Sequence, residues 1–457
     1  MKEKNTLLYS LMSFIIVFSL ASAVFPAPVE ASPSAEIWDW HDLHAIRNDL
    51  DGHYRLMNDL DATTAGYTEL ASEPANEGRG WQPIGTSADP FSGSFDGQEY
   101  EIRDLFANRP AENGVGLFGC IAGGGVIEDV GLVNGDVTGA WQVGGLAGWS
   151  EGSVSKSYSS GSVSGDTSAG GLIGVNNHGK LSNSYSSASV RGQAAVAGLV
   201  GWNGGTVSNS YSSGNVSGDE SVGGLVGHNV GDLQGGSVSN SYSSGSVSGT
   251  SHIGGLVGYN LGGIVGNSFW DTETSGLTIS AGGMGKTTAE MMSIATFTDI
   301  NTQGLDQPWD MTAVDPEETD DTYTWNIVDG ATLPFLSGKQ LIEHHLTISS
   351  TEGGQVTTPG EGTHAYDAGT VVNLAAEAGE GYRFADWAGA VDTIGDVTAA
   401  ETAITMQSDY TIRASFEEVP PAPVNRPLIG GIIAAVLVVG VAAFLVLRRR
   451  PAQAKKR

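Results

Sequence analysis

The sequence predicts an all-β chain built around a parallel β-helix, or β-solenoid, of about 26-residue coils. Three observations carry that expectation. Five near-identical copies of a Gly/Ser/Asn-rich unit run from Val143 to Gly276, preceded by a divergent copy from Gly114. Each copy holds short apolar or alternating stretches (GLVG, VSNSYS, NVSG) parted by turn residues, and none reaches helical length. The 66 glycines follow the repeat, so they signal an ordered array rather than a disordered chain.

The repeat leucines fall at Leu117, Leu146, Leu172, Leu199, Leu225 and Leu256, a period of 26 to 31 residues. Two or three short strands per period make one turn of a solenoid, and six coils stacked at about 4.8 Å give a rod of roughly 30 Å. In-register stacking places like residues above one another. Those leucines then form one buried ladder, and Val154, Leu181, Val207, Val238 and Val265 form a second. Tyr158, Tyr185, Tyr211, Tyr242 and Phe269 form an aromatic stack, and Asn176, Asn203, Asn229 and Asn260 an amide ladder below Ser150. The insertion Gly231 to Gly235 is expected to protrude as a loop.

These copies resemble the GLUG repeat, named for its Gly-Leu-(any)-Gly core. The likeness extends upstream through NDLDA from Asn58 and WQPIGTSADPFSGSFDGQEYEIRDLF from Trp81, and downstream through SAGGMGKTTAEM and TWNIVDGATLPFL. It implies an exported β-helical domain of the kind found in adhesin-like surface proteins, and it brings no catalytic residues.

Upstream, Ile37, Trp40, Leu43, Ile46 and Leu50 recur at helical spacing and predict an amphipathic N-terminal cap. Residues 277–340 are expected to close the other end, with a helix over Thr287 to Phe297. Beyond them, alternation at Leu346-Thr347-Ile348, Val371 to Leu374 and Tyr410-Thr411-Ile412 predicts a separate small all-β domain. Gly354, Pro359, Gly369, Gly381, Tyr382, Phe384, Trp387, Met406, Ala414 and Phe416 fall as in the divergent internalin B-repeat, which this segment resembles. That resemblance implies a small all-β or β-grasp-like spacer. Tyr382 and Trp387 are expected in its core, with a ligand platform as the alternative.

The chain ends predict export. Lys2 and Lys4 precede an apolar run from Leu7 to Leu20 and cleavage candidates at Ala21-Ser22-Ala23 or Val29-Glu30-Ala31, a secretory signal; an uncleaved anchor is the alternative. Leu428 to Leu447 has no charge or proline and predicts a single transmembrane helix. The basic tail after it is expected in the cytoplasm, leaving the body at the cell surface. The expected division is signal peptide 1–31, N-terminal cap and first coils 32–110, repeat solenoid 111–276, closing segment 277–340, β domain 341–418, proline-rich linker 419–427, transmembrane helix 428–447 and tail 448–457. Cys120 is the sole cysteine, so no intrachain disulfide forms.

Charge excludes some partners. The formal net charge is −30, and eight of the 21 basic residues lie in the signal and the tail. A body this acidic repels nucleic acid and anionic lipid. A nucleotide is also not expected, although AGGMGKTTAE (Ala281 to Glu290) reads like a phosphate-binding loop. Ser280 stands where the first glycine of that motif belongs, Ala281 where the variant loop has a lysine, and no βαβ sheet follows.

No catalytic, cofactor or metal residues are assigned. Between Val143 and Phe269 the only acids are Glu151, Asp166, Asp219, Glu220 and Asp232, too scattered for an acid pair. Asp315, Glu317, Glu318, Asp320 and Asp321 lack the order of a calcium loop. His178, His228, His252 and His344-His345 lack metal-ligand spacing. One column is a candidate: Trp149, Val175, Trp202, His228 and Tyr259, each three residues after a repeat leucine. Facing outward, Trp149, Trp202, His228 and Tyr259 form an aromatic strip for ligand binding; facing inward, they are core. The expectation is a non-catalytic, membrane-anchored surface protein that binds a glycan or a surface protein. A structural envelope component and a polysaccharide-active enzyme are the alternatives.

Overall fold

The computed structural model describes residues 34–419 apart from 232–234, 316–317, 338–342, 368–370, 392 and 407–409. Within 34–286 the chain winds as a parallel β-solenoid whose three faces are sheets of nine, fourteen and six strands. One coil, residues 173–197, shows the plan. Ile173–Asn176 lies on the six-stranded face, Lys180–Ser182 on the nine-stranded face, and Tyr185–Ser186 with Ser189–Ala197 on the fourteen-stranded face.

Repeat register explains why like residues meet. Val154 pairs with Leu181, Leu181 with Val207, and Val207 with Val238, each below 2% exposure. The leucine ladder from Leu117 to Leu256 is fully buried. The corner between the nine- and fourteen-stranded faces takes a left-handed backbone in six successive coils. Asp129, Lys156, Asn183, Asn209, Asn240 and Asn267 supply it with φ between 47° and 52°. Asn dominates that column because its short side chain tolerates this region.

The amide ladder is a continuous chain of hydrogen bonds. Asn176 Nδ2 donates to Asn203 Oδ1 at 2.8 Å, Asn203 to Asn229 at 2.9 Å, and Asn229 to Asn260 at 3.1 Å. A serine ladder not anticipated from the sequence runs along the other end of the nine-stranded face. The backbone N–H of Ser157, Ser184, Ser210 and Ser241 each donates to the hydroxyl of the next coil's serine, at 3.1 to 3.3 Å. Those serines are fully buried, so the hydroxyls satisfy groups that would otherwise cost free energy.

The tyrosine stack lies outside the core ladders. Tyr158, Tyr185, Tyr211 and Tyr242 stack with centroids 4.8, 4.8 and 5.0 Å apart and planes within 3°. The closing segment covers its later members. Trp325 lies 6.0 Å from Tyr211 and 5.9 Å from Tyr242, and the Tyr242 hydroxyl donates to Pro334 O at 2.6 Å. Phe269, Met291, Phe297, Leu305, Trp309, Met311, Ile327 and Leu336 complete this second apolar cluster.

Three expectations are corrected. The single transmembrane helix does not belong to the described fold, because among the described residues no helix is long and apolar enough to cross a membrane. The longest, Trp40–Ala45, spans about 9 Å against a hydrocarbon core of roughly 30 Å. The expected span 428–447, the signal segment 1–31, the tail 448–457 and nearly all of the linker lie outside the described residues. Second, the N-terminal cap is shorter than its periodicity suggests. Ile37 belongs to the strand Ala35–Ile37, and Asp39 then caps the helix by accepting from His41 N and Asp42 N. Trp40, Leu43 and Ile46 are nonetheless fully buried. Third, the helix over Thr287 to Phe297 is two helices, Thr288–Met291 and Ile294–Thr298, because Ser293 is extended (φ −101°, ψ 125°).

The C-terminal unit has seven strands in a four-stranded and a three-stranded sheet. Glu343–Ser350 and Tyr410–Glu418 run parallel at the centre of the first. Leu346, Ile348, Leu374, Trp387, Ile404 and Ile412 fill its core, with Trp387 Nε1 donating to Ala399 O, while Tyr382 is half-buried.

Candidate functional site

The candidate column stands on the six-stranded face. In-register pairs join Trp149 to Val175, Val175 to Trp202, Trp202 to His228 and His228 to Tyr259. Cys120 precedes Trp149 in the same register. Sequence reasoning left it out, although it too stands three residues after a repeat leucine.

Trp149, Trp202, His228 and Tyr259 are half-buried, and none belongs to an apolar cluster. Val175 is also outside those clusters but only 4% exposed. The strip is therefore a surface ridge of partly covered rings, neither core nor fully exposed. A glycine precedes each member. A Cβ at Gly201 would lie 2.7 Å from Ser168 C, and at Gly227 2.7 Å from Ala195 C, so only glycine lets this face rest on the adjoining backbone.

The last two coils close the strip. His228 lies 5.0 Å from Tyr259 at 58°, and His252 lies 4.8 Å from Tyr259 at 60°. Desolvation lowers the His228 pKa first, and the His252 charge adds to it, against an opposing pull from Glu220. A lowered pKa means the unfolded chain binds a proton that the folded chain resists. Stability contributed by His228 is thus complete above the ordinary histidine pKa of about 6.5 and declines as pH falls through it. Melting temperature is expected to fall between pH 7.5 and 5.5, and His228→Gln to flatten part of that slope. An unchanged slope in the variant would contradict the assignment.

Burial, followed by the Glu151 charge, pushes the Cys120 thiol up to about 11, so it is mostly protonated at neutral pH.

The other sequence candidates take local structural roles. In the phosphate-loop look-alike, Met284–Lys286 is a strand paired with Phe269–Asp271. Thr287 N donates to Glu290 and Thr288 N to Glu273, at 2.8 and 2.9 Å, so these amides are already committed to carboxylates. Asp166 accepts from Gln193 Nε2 at 3.0 Å. Asp315, Glu318, Asp320 and Asp321 line a shallow depression, and hydrogen bonds from Thr322 lower the Asp320 pKa. His178 occupies a left-handed turn (φ 59°). Asp232 and Glu317 lie outside the described residues.

Two family models match this chain: the GLUG motif over residues 139–164 and 218–248, and the divergent InlB B-repeat domain over residues 344–420. The chain carries GLUG motifs and a divergent InlB B-repeat domain. The first GLUG match spans Trp149 and the second spans His228, so two strip members lie on the motif itself.

Halomucin of Haloquadratum walsbyi is 38% identical over 146 residues, which is 31% of this chain and 2% of halomucin. A "Putative Gly-rich membrane protein" of Evansella cellulosilytica is 36% identical over 98 residues, 21% of this chain and 10% of that one. The chain thus spans a small fraction of both relatives. A solved structure described as a "putative immunoglobulin A1 protease" from Bacteroides ovatus shares 21% identity at a TM-score of 0.43. That match covers 57% of this chain and 86% of that one, a likeness too distant to argue from.

Proposed function

We propose that this GLUG solenoid is a non-catalytic binding module of the cell surface whose ligand is a glycan or glycan-bearing surface molecule. The observation that carries the reading is the strip itself. Rings excluded from both apolar clusters of the solenoid are kept at the surface at a regular coil spacing. Half-covered aromatic rings are suited to stacking on the apolar faces of sugars, because part of their area is already desolvated and rigid. A surface location is supported by the "membrane protein" name of the Evansella relative. The net charge of −30 argues against nucleic acid as the ligand.

The test is binding of the full-length chain to a broad glycan array, beside a Trp149→Ala/Trp202→Ala variant. The expected result is glycan binding that the variant loses. Glycan binding left intact in the variant would sink the strip as the site.

A structural role in a surface layer is the second reading. It is favoured by Ile264, 72% exposed on the outermost described strand of the nine-stranded face, beside Leu261 at 43%. Such an edge invites end-to-end association. Concentration-dependent assembly in sedimentation, reduced by Ile264→Lys, is the result that reading expects; a monomer at all concentrations would contradict it.

A further inference from the structure

The strip has a neighbouring column. Glu220 Oε1 lies 3.7 Å from His252 Nδ1, and His252 in turn contacts the Tyr259 ring. At this end, therefore, the column that carries Glu220 runs beside the strip. Register extends the same adjacency along the solenoid, through Trp141, Thr167, Ala194, Glu220 and Ser251.

Trp141 and Glu220 are the large members of that column. Trp141 is 57% exposed and belongs to no apolar cluster, and the Glu220 side chain is 60% exposed. Between them stand only Thr167 and Ala194. The corner residues beside those two, Ser168 and Ala195, are small and buried. The surface is therefore low across two coils. It has an indole at one end, a carboxylate at the other, and Val175, Trp202 and His228 along one side, where the glycines before them pack on Gln142, Ser168 and Ala195. Three coil steps separate Trp141 from Glu220, about 14 Å.

We propose that this trough is the ligand subsite and that it holds two or three units of a neutral, hydroxyl-rich oligosaccharide lying along the solenoid axis. The inference rests on the glycan reading above and specifies its ligand. Sugar rings present apolar faces to Trp141 and the flanking strip, and their hydroxyls donate to the Glu220 carboxylate. The His252 imidazole lies 3.7 Å from that carboxylate. Charge sets the class: Asp166 and Asp219 adjoin the trough on a protein of net charge −30, so uronate and sulfated sugars meet repulsion. A single exposed tryptophan would carry no such weight, since isolated exposed apolar residues are common. Here an indole, a low floor, a carboxylate and an aromatic wall stand together in register.

The test uses the full-length chain on an array of neutral and uronate-bearing oligosaccharides, with Trp141→Ala and Glu220→Gln. Both residues are exposed, so each variant is expected to keep the wild-type melting temperature. The expected result is preference for neutral glycans and about tenfold weaker binding in each variant, equivalent to about 1.4 kcal/mol. Binding lost in Trp149→Ala/Trp202→Ala but unchanged in both new variants would overturn the trough and leave the glycan reading intact. Preference for uronates would overturn the ligand class. No binding to any glycan would overturn the trough together with the reading on which it rests.

Discussion

Replacing Trp325 with alanine is expected to release the closing segment from the solenoid, at a cost of about 3–5 kcal/mol. Trp325 is fully buried and touches Tyr211, Tyr242 and Trp309, the last at 4.9 Å. It joins the last coils to a segment whose own strands are short: Met311–Ala313, Trp325–Ile327 and Phe335–Leu336. Those strands cannot bury an apolar face by themselves, so their order depends on the tyrosine stack. Limited proteolysis reads the effect directly. New cleavage within 277–337 is expected in the variant while the coils stay resistant. Tyr242→Phe is the milder companion, removing the hydrogen bond to Pro334 O at a cost of about 1 kcal/mol. Proteolysis of Trp325→Ala indistinguishable from wild type would mean that the stack does not hold the segment.

The second large effect is expected from Asn203→Asp, which changes one atom. Asn203 is fully buried; its Nδ2 donates to Asn229 Oδ1 at 2.9 Å and to Ser237 O at 3.3 Å. Its Oδ1 accepts from Asn176 Nδ2 and from Gly205 N. An aspartate keeps both acceptor contacts but sets a carboxylate oxygen against two carbonyl oxygens, at a cost of about 3–5 kcal/mol for a buried charge without compensation. Burial raises the folded-state pKa of the new acid above its unfolded value. The penalty is therefore greatest above that raised pKa and shrinks as pH falls and the acid is protonated. Denaturant melts at pH 7.5 and pH 5 are the measurement. A variant gap that widens on acidification would contradict the ladder.

Much of this architecture was legible because the repeat does the aligning. Once Leu146, Leu172 and Leu199 are placed in one column, Asn176 and Asn203, or Tyr185 and Tyr211, must also share a column at one coil spacing. The serine ladder was harder to see. Ser157, Ser184 and Ser210 resemble surface filler in composition; their role lies in buried backbone groups, an N–H of the preceding coil that donates to the Ser184 and Ser210 hydroxyls and a carbonyl two residues earlier that each hydroxyl reaches. The cover over the tyrosine stack was not legible. Tyr242 and Pro334 are 92 residues apart in sequence, outside any repeat. Part of the phosphate-loop resemblance had a local cause: Thr287 and Glu290 form a capping box, which places a Thr at a helix start as that loop does.

The candidate site was legible in part. Spacing from the repeat leucines identified Trp149, Trp202, His228 and Tyr259, but pattern could not assign their exposure, because the glycine before each one packs on backbone and breaks simple alternation. Trp141 left no repeat signal, since its counterparts in later coils are Thr167, Ala194 and Glu220. A residue unique to one coil stands out only when the columns are seen side by side.

The aromatic strip belongs to the surface of the solenoid and not to its apolar clusters. The most direct measurement is the stability of the Trp149→Ala/Trp202→Ala variant in a denaturant melt. Loss of about 1–2 kcal/mol in total is expected, since a half-buried ring outside the core contributes only part of the burial energy of a core one. A loss of about 3–5 kcal/mol for each tryptophan, the scale of a core truncation, would return the strip to the interior.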